Sequence, residues 1–506
     1  MLLILVFNLQ LTKTRIAIAL VLFLITYLHY YNHTSFTLHR SRTKSHHRFK
    51  YQNNENKTRS LKSYNGKLLQ EKVWNVFILG MDTMSRSRAL NSMPRVANYF
   101  MKNKWLDYKG YNKIEFNTFP NLMAILTGKS IKKVNKLCGK TIDKCNKHFL
   151  WSKFKDAGFA TAYGEEFLDL PDTFAAYNGF KNAPTDHYIR PFFLLGEKRK
   201  GNVICTKKRT SGKHLLDYAF DFINTYKRQE FFGLFWMNTY SHNIYNIPSL
   251  IDDDIAMFFN KINNTGALRN TFVIFLSDHG TRFGDMRVPV ESYYEERLPM
   301  LFVWVPKRYR KLYAEKYQNF QLNQNRLITP FDIHTTLWEI LKMSNLSVRV
   351  IPSEECSECK SMSIEQSIYR TCNDAHINAK WCSCHNMTTV RPNDKGAEDS
   401  LILAVDYIKR IVSNIKTDNC TACSPLHLKK VLRQHSYALG DETTYYVVAF
   451  VLTPGEVAFE ATVRKNGKNY KIMQPTKTIT QYSGRRYCVL DGDDHVYCMC
   501  KDVKCH

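Results

Sequence analysis

Four polar segments that could carry chemistry each follow a short apolar run of the sequence. They are Gly80-Met81-Asp82, Gly164-Glu165-Glu166, the stretch 238–242 with Asn238, Ser241 and His242, and Ser277-Asp278-His279-Gly280. Ligands of open α/β sheets bind outside the carboxyl ends of the strands, so these groups are expected at one sheet edge. Two carboxylates and an imidazole suit zinc, and also manganese or calcium. Taken alone, Asp278-His279-Gly280 reads as a polar turn, and its match with Asp82 favours a metal site.

The candidate nucleophile is Thr118, in the segment Asn117-Thr118-Phe119-Pro120-Asn121. An apolar, helix-like run follows at residues 122–126, which places Thr118 just before a helix N-terminus. The free N–H groups and the dipole of a helix start stabilise an alkoxide and a bound phosphate or sulfate. A metal ion at the hydroxyl would lower its pKa further. The alternative is that Thr118 only caps the helix.

The apolar runs predict the strands that position these groups. They are rich in β-branched and aromatic residues without polar alternation, which is typical of strands buried on both faces of a parallel sheet. The runs are residues 73–79, 159–163, 231–236, 271–276 and 300–305. The segments between them have a helical spacing of apolar residues, at 152–157, 215–226 and 331–341. We therefore predict an α/β fold, doubly wound, with a mostly parallel sheet.

Changes in amino-acid composition along the chain predict four regions. Residues 1–31 contain an apolar run at 16–28 and form a signal-anchor or a cleaved signal peptide, and the absence of a small-residue cleavage site favours the anchor. Residues 32–70 are basic and polar, as in a flexible stem. Residues 71–355 carry the strand–helix pattern of the catalytic domain. Residues 356–506 are cysteine-rich and end in a small disulfide-stapled β subdomain.

Cysteines and sequons predict a secretory-pathway glycoprotein. All 14 cysteines follow the apolar run, and their even number suits disulfides in an oxidising compartment. The Cys356/Cys359 and Cys420/Cys423 spacings could suggest zinc, but disulfides are expected there. Six N-x-S/T sequons agree with the lumen: Asn32, Asn56, Asn263, Asn345, Asn386 and Asn419. We expect a type II membrane protein of the ER or Golgi, or an extracellular, secreted one.

The formal net charge of +27 restricts the class of partner. A leader and sequons place this charge away from nucleic acid, so no nucleic-acid role is expected. Anionic esters are the expected partners in the lumen: lipid head groups, glycans or phosphodiesters. A solvated basic surface is the alternative, because much of the excess charge lies in the stem at residues 39–72.

The motifs resemble the alkaline-phosphatase/sulfatase superfamily. Thr118-Phe119-Pro120-Asn121 resembles the nucleophile motif of nucleotide pyrophosphatase/phosphodiesterases, and Ser277-Asp278-His279-Gly280 resembles sulfatases and phosphoethanolamine transferases. The run from about residue 72 to 505 resembles the DUF229 family, sulfatase-like proteins of animals. The resemblance implies an alkaline-phosphatase-like fold and the metal ligands Asp82, Thr118, Asp278 and His279. It also implies that Thr118 is the nucleophile.

The same resemblance predicts one metal site, most simply zinc. Two-zinc phosphodiesterases place an Asp four residues before a His. This chain has Asn238 and His242 at those positions, and an amide is a poorer metal ligand than a carboxylate. His242 would instead bind the phosphate or protonate the leaving group. The Cys-x-Pro-x-Arg motif of sulfatases is absent, which disfavours ordinary sulfate-ester hydrolysis.

Further candidates complete the predicted site. Asn238 and Arg86, together with Arg88, could contact the substrate anion. Glu165 and Glu166 could support the centre, and His334 lies in a segment that resembles a sulfatase-type helix and could be a ligand.

The sequence therefore predicts a metal-dependent phosphoester hydrolase or phosphotransferase of phosphodiester or phosphoethanolamine type. The alternative is a catalytically inactive extracellular binding protein for anionic glycans or a receptor.

Overall fold

The structure is a computed structural model. It describes residues 73–139, 141–168, 173–174, 179–242, 247–345, 347–348, 353–418, 420–439, 442–480, 488–490 and 496–503. The predicted anchor (1–31) and stem (32–70) lie outside these residues, as do Asn32, Asn56 and Asn419. Across the described ranges, no helix combines the length and apolar character needed to cross a bilayer. Glycosylation and membrane anchoring stay predictions.

A seven-stranded sheet forms the centre of the molecule, in the order β2-β10-β9-β1-β8-β3-β4. Its strands are β1 (Asn75–Met81), β2 (Leu106–Asp107), β3 (Ala160–Glu165), β4 (His187–Tyr188), β8 (Phe231–Met237), β9 (Thr271–Leu276) and β10 (Leu301–Trp304). Strands β9, β1, β8, β3 and β4 run parallel, while β10 runs antiparallel to β9. The predicted mostly parallel sheet is confirmed.

Helices cover both faces of this sheet, because successive side chains of β1 alternate between two hydrophobic clusters. Val76 and Ile78 pack in one cluster, and Phe77 and Leu79 pack in the other. The helices are α1 (Arg86–Ser92), α2 (Pro94–Lys102), α3 (Thr118–Thr127), α4 (Ile131–Cys138), α5 (Leu150–Asp156), α6 (Arg190–Leu194), α7 (Ser211–Tyr226), α8 (Ser249–Asn264), α9 (Ser292–Arg297), α10 (Lys307–Leu312), α11 (Ala314–Leu322), α12 (Pro330–Ser344) and α13 (Lys395–Asn414). Two covered faces explain why β1, β8 and β9 are buried along their whole length and consist almost entirely of apolar residues.

A five-stranded antiparallel sheet forms the C-terminal part, in the order β11-β13-β14-β15-β16. Its strands are β11 (Thr388–Thr389), β13 (His427–Leu439), β14 (Thr443–Thr453), β15 (Val457–Asn466) and β16 (Asn469–Thr478). Helix α13 packs on one face through Ala404 and Ile408, which meet Phe450 and Phe459. Smaller sheets contain β5 (Glu197–Lys200), β6 (Val203–Thr206), β7 (Arg209–Thr210), β12 (Thr421–Cys423) and β17 (Cys500–Asp502).

Disulfides staple the C-terminal part, as the sequence predicted. The pairs within the described residues are Cys138–Cys145, Cys356–Cys359, Cys372–Cys382, Cys423–Cys498 and Cys488–Cys500. Cys420 is also disulfide-bonded, but Cys423 is not its partner. Several disulfides are typical of an extracellular or secretory compartment.

Aromatic packing stabilises the α2 side of the sheet. The Phe100 ring lies 4.3 Å from that of Trp105 and 5.0 Å from that of Phe302, measured between centroids. We expect Phe100→Ala to lower the free energy of unfolding by about 3–5 kcal/mol, because it removes a buried ring and leaves a cavity. The neighbouring Met101 is 75% exposed. Met101→Ala is the matched control and should change stability by less than about 0.5 kcal/mol. Urea unfolding with the disulfides intact measures both, and equal losses would contradict this packing.

Candidate functional site

Two adjacent strands bring three acidic and imidazole side chains together. Asp82 directly follows β1, and Asp278 and His279 follow the neighbouring β9. All three are buried, and one ligand atom from each lies within 4.8 Å of the other two. The His279 Nε2 atom is 3.1 Å from Asp278 Oδ2 and 3.9 Å from Asp82 Oδ1. The structure thus gathers this part of the predicted ligand set at the carboxyl edge of the sheet.

The hydrogen bonds of this cluster leave ligand atoms free. His279 Nδ1 lies 2.9 Å from the carbonyl oxygen of Gly280, which can only accept, so Nδ1 carries the proton and Nε2 presents its lone pair. Neither His279 Nε2 nor Asp278 Oδ2 has a hydrogen-bond partner, although both atoms are buried. Two buried acceptors 3.1 Å apart repel each other unless a cation lies beside them. The donor set therefore fits a divalent metal ion.

Burial shifts the pKa values of the three side chains in the direction that favours their neutral forms. It raises the pKa of Asp82 and that of Asp278, and repulsion from the Asp82 carboxylate adds to the effect at Asp278. Burial also lowers the pKa of His279 to about 3, against the opposing attraction of Asp278. The imidazole is therefore neutral at physiological pH, as a metal ligand must be.

A tight backbone holds the Asp82 segment against the Asp278 segment. The Thr83 N–H donates to Asp278 Oδ1 at 3.2 Å, and the Thr83 hydroxyl donates to Asp82 Oδ1 at 2.8 Å. Thr83 has a φ of +58°, a backbone conformation that residues other than glycine rarely adopt. Gly280 is enclosed as well, because a Cβ there would lie 1.7 Å from the carbonyl oxygen of Glu295. This close approach explains the glycine that follows His279.

Thr118 is the first residue of α3, and its side chain lies close enough to Asp278 to lower the pKa of that carboxyl group. Asn117, not Thr118, takes the N-cap position in extended conformation. The Asn121 side chain fixes the preceding loop: its Oδ1 accepts from the Ile114 N–H at 2.9 Å, and its Nδ2 donates to the Asn117 carbonyl at 2.8 Å. The hydroxyl is therefore free of a capping role and lies at the cluster.

Asn238 directly follows β8, the strand that pairs with β1 on the side away from β9. Both hydrogens of its amide nitrogen are used, toward Glu165 Oε1 at 3.0 Å and the Glu166 carbonyl at 2.9 Å. Glu166 also accepts the backbone N–H groups of Asn238 and Thr239, each at 2.7 Å, and burial raises its pKa to about 7. The structure thus places Asn238 in a buried hydrogen-bond network, where sequence reasoning placed it against substrate.

His242 and the two arginines occupy different positions around the cluster. His242 Nε2 lies 3.9 Å from Asp82 Oδ2, and the His242 side chain is 25% exposed, so it borders the centre on the solvent side. The Arg86 guanidinium forms a bidentate pair with Asp107, at 2.7 and 2.6 Å. Arg88 instead donates to the Thr83 carbonyl at 3.0 Å. Of the two arginines, the structure brings only Arg88 to the Asp82 segment.

Two cations of the site were missed by sequence reasoning. Arg282 lies close enough to Asp82 and Asp278 to be attracted by both, and its buried Nε has no hydrogen-bond partner. Its position three residues after His279 was a signal that could have revealed it. Lys113 is fully buried, with Nζ 2.8 Å from Glu296 Oε1, and burial lowers its pKa to about 8. Nothing local marks Lys113, because Glu296 lies 183 residues away in sequence.

His334 lies behind α3, the helix that begins at Thr118. Its Nδ1 donates to the Ile125 carbonyl of α3 at 2.8 Å, and its ring fills the space that a Cβ at Gly128 would need. Burial lowers its pKa to about 4. The structure therefore gives His334 a packing role beneath α3, where the sequence offered it as a metal ligand.

The chain matches the model of one known protein family over most of its length. Residues 27–432 match the family described as "Protein of unknown function (DUF229)". The chain belongs to this family. No curated protein matched the chain in sequence.

Similar solved structures share low identity with this DUF229 chain. One is a protein in the alkaline phosphatase superfamily from Vibrio parahaemolyticus, with 13% identity, 80% of this chain and 83% of that chain covered, and a TM-score of 0.41. A second is the lipoteichoic acid synthase LtaP from Listeria monocytogenes, with 14% identity, 46% and 66% covered, and a TM-score of 0.34. The chain thus spans just under two thirds of LtaP. A third is the C-terminal periplasmic domain of EcEptC from Escherichia coli, with 11% identity, 59% and 88% covered, and a TM-score of 0.36.

The lowered pKa of His334 predicts a pH-dependent contribution to stability. Between the ordinary pKa of 6.5 and about 4, the unfolded chain binds a proton that the folded chain excludes, so stability falls as pH falls. A plot of the free energy of unfolding against pH therefore has a positive slope in this range. We expect His334→Gln to reduce that slope by up to about 1.4 kcal/mol per pH unit. Urea unfolding from pH 7 to 4 measures it, with the exposed His427→Gln as control. Metal content should be unchanged in His334→Gln, and its loss would contradict the packing role.

Proposed function

We propose that the chain is a metal-dependent phosphoester hydrolase or phosphotransferase that uses Thr118 as its nucleophile. The observation that carries the proposal is the pair of unpartnered, buried ligand atoms, Asp278 Oδ2 and His279 Nε2, beside a hydroxyl at a helix N-terminus. A protein that only binds glycans has no need to bury such a group, since each unsatisfied polar atom costs about 1–3 kcal/mol.

The proposed metal ligands are Asp82, Asp278, His279 and the Thr118 hydroxyl, and zinc suits this mixture of oxygen and nitrogen donors. The chemistry that a divalent cation supplies at such a site is a lowered pKa of the nucleophile and charge stabilisation on the phosphoryl oxygens. One site is proposed, because the position from which a second metal would be bound holds Asn238, and a neutral amide oxygen is a poorer ligand than a carboxylate.

The residues of the chain would perform the transfer in two displacements. The Thr118 hydroxyl loses its proton to water and its oxygen bonds phosphorus, while the bond to the leaving alcohol breaks. His242, on the solvent side, would donate a proton to the departing alkoxide. Water or an acceptor alcohol then displaces Thr118 from phosphorus, which regenerates the hydroxyl. The N–H groups at the start of α3 and the Arg282 guanidinium would neutralise the phosphoryl oxygens.

The proposed setting is the secretory pathway or the cell exterior, with an anionic ester as substrate. A lipid head group, a glycan or another phosphodiester would each present negative charge, which Arg282 would balance. Phosphodiester hydrolysis and phosphoethanolamine transfer use the same two displacements and differ only in the acceptor. Sulfate-ester hydrolysis fits less well, because a threonine cannot become formylglycine.

The nucleophile can be tested on a panel of small phosphodiesters. We expect Thr118→Ala to lower turnover by at least about 10³-fold, because the covalent step loses its oxygen. Thr118→Ser keeps the hydroxyl and should retain part of the activity. Elemental analysis should find about one equivalent of zinc in the wild type and in Thr118→Ala, and a loss in Asp278→Asn. Wild-type protein without metal and without turnover would contradict the proposal and favour a glycan- or receptor-binding protein.

Arg282 at the centre and Arg86, which pairs with Asp107 away from it, allow substrate binding to be separated from structure. Arg282→Met should lower kcat/KM by on the order of 10²-fold, because a preorganised cation at the developing charge is lost. Arg86→Met is the matched control: it removes the same group from a pair with Asp107 and should change kcat/KM only a few-fold. Steady-state kinetics on one phosphodiester compares them, and the reverse ranking would show that Arg86 contacts the substrate.

A further inference from the structure

The short helix α6 ends in two successive leucines that are exposed to solvent. It begins just after β4, and Leu194 and Leu195 at its end are 65% and 83% exposed. The preceding Phe193 is fully buried in the hydrophobic cluster on one face of the central sheet. Phe193 therefore holds α6 against the sheet while the two leucines face water. A single exposed leucine is ordinary, but an adjacent pair on an anchored helix is a candidate contact surface.

A strongly basic hairpin follows the two leucines directly. Strands β5 and β6 pair antiparallel, and β7 adds to β6. Residues 198–209 contain no acidic residue, and all of their basic side chains are exposed. We define the basic–apolar patch as Leu194, Leu195, Lys198, Arg199, Lys200, Lys207, Lys208 and Arg209.

Three lysines of the basic–apolar patch have no counter-charge on the protein. Arg209 pairs with Asp217 at 2.7 Å. Among the ion pairs of the described residues, none includes Lys198, Lys207 or Lys208. Like charges gathered on one hairpin repel each other and create a positive potential at the surface. An anionic partner would remove this repulsion.

Hydrogen bonds fix the basic–apolar patch at the carboxyl edge of the central sheet. Glu197 at the base of the hairpin accepts the N–H groups of Phe167 at 3.0 Å and Leu168 at 2.5 Å, in the segment that follows β3. The Tyr240 hydroxyl, in the segment that follows β8, donates to the Thr210 hydroxyl at 2.6 Å. Strands β3, β4 and β8 run parallel to β1. The patch therefore lies at the same edge of the sheet as the Asp82 centre.

The combination of leucines and lysines distinguishes between the possible anionic partners. Lysines alone suit any polyanion, including a sulfated glycan. Exposed leucines gain nothing from a glycan, because its surface consists of hydroxyl and sulfate groups. A bilayer with anionic lipids offers both partners, since lipid phosphates attract lysines and the acyl boundary accepts apolar side chains.

We propose that the basic–apolar patch docks on a membrane surface that contains anionic lipids. Leu194 and Leu195 enter the boundary between head groups and acyl chains, while Lys198, Lys207 and Lys208 contact the lipid phosphates. The docking is peripheral and does not depend on the proposed phosphotransfer. Because the patch and the Asp82 centre share one edge of the sheet, the docked protein holds that edge toward the lipid head groups.

The experiment uses the full chain, reconstituted in vesicles of phosphatidylcholine with or without phosphatidylserine. Any contribution of residues 1–31 to membrane attachment is present in every sample. Hydroxyl-radical footprinting with peptide mass spectrometry reports the exposure of individual side chains. Oxidation of Leu194 and Leu195 should fall at least about threefold when phosphatidylserine is present, because both side chains leave water. Leu312 on α10 is 57% exposed and is the internal control, with equal oxidation in both lipid mixtures.

The role of charge is tested by removing the three lysines together. Lys198→Gln/Lys207→Gln/Lys208→Gln should abolish the protection of the leucines, because each lysine near an anionic surface contributes about fivefold to binding. The matched control Lys307→Gln/Lys311→Gln removes two exposed lysines from α10 and should keep the protection. Circular dichroism checks folding, and the triple substitution of the same three lysines by arginine should also keep the protection.

The role of the leucines is tested by acetylation of the lysines in the same vesicles. Leu194→Ser/Leu195→Ser should weaken docking by at least about tenfold, so the three lysines become as reactive as in phosphatidylcholine alone. The matched control Leu312→Ser should leave their protection unchanged. Thr118→Ala should dock like the wild type, which separates docking from the proposed catalysis.

Three results would overturn the proposal. The first is equal oxidation of Leu194 and Leu195 with and without phosphatidylserine. The second is lysine protection that persists in Leu194→Ser/Leu195→Ser. The third is a soluble sulfated polysaccharide that protects the leucines as fully as the anionic vesicles do, which would make a glycan the partner of this surface.

Discussion

Two carboxylates buried side by side constrain the rest of this structure. Asp82 and Asp278 lie at the ends of adjacent parallel strands, where water cannot screen their repulsion, and the protein provides His279, Thr118 and Arg282 around them. The sheet, its glycine at 280 and the strained Thr83 all serve to keep these groups within a few ångströms. Positive charge at the centre stabilises such an arrangement, and a divalent metal ion would supply it.

A chain of buried ion pairs extends from this centre to the C-terminal sheet. Lys113 pairs with Glu296 at 2.8 Å, Glu296 pairs with Arg287 at 2.8 Å, and Arg287 pairs with Glu460 at 2.9 Å. Glu460 in β15 also pairs with Arg433. The family match ends at residue 432, so the network joins the matched region to strands beyond it. The C-terminal sheet therefore contributes to the electrostatics near the Asp82 centre and is more than an appended module.

Local sequence patterns predicted the positions that local physics controls. A buried strand followed by an acidic residue is visible in seven or eight consecutive residues, so β1 with Asp82 and β9 with Asp278 and His279 were found. The start of α3 at Thr118 was found for the same reason. The roles of Arg86, Asn238 and His334 were not visible, because each is decided by a distant partner: Asp107, Glu165 with Glu166, and Ile125.

Local sequence patterns were sufficient to predict the doubly wound α/β architecture, the disulfide-rich C-terminal β part and the sheet edge at which the polar groups meet. Hydrophobic periodicity and strand polarity are local properties, so a single stretch of sequence reveals them. Tertiary structure alone decided which cation reaches the centre, since Arg86 and Arg88 are two residues apart and point to different neighbours. It also decided that Cys384 is left free beside the Cys372–Cys382 pair. Pairing of charges and of thiols depends on distances across the fold, and sequence spacing does not encode those distances.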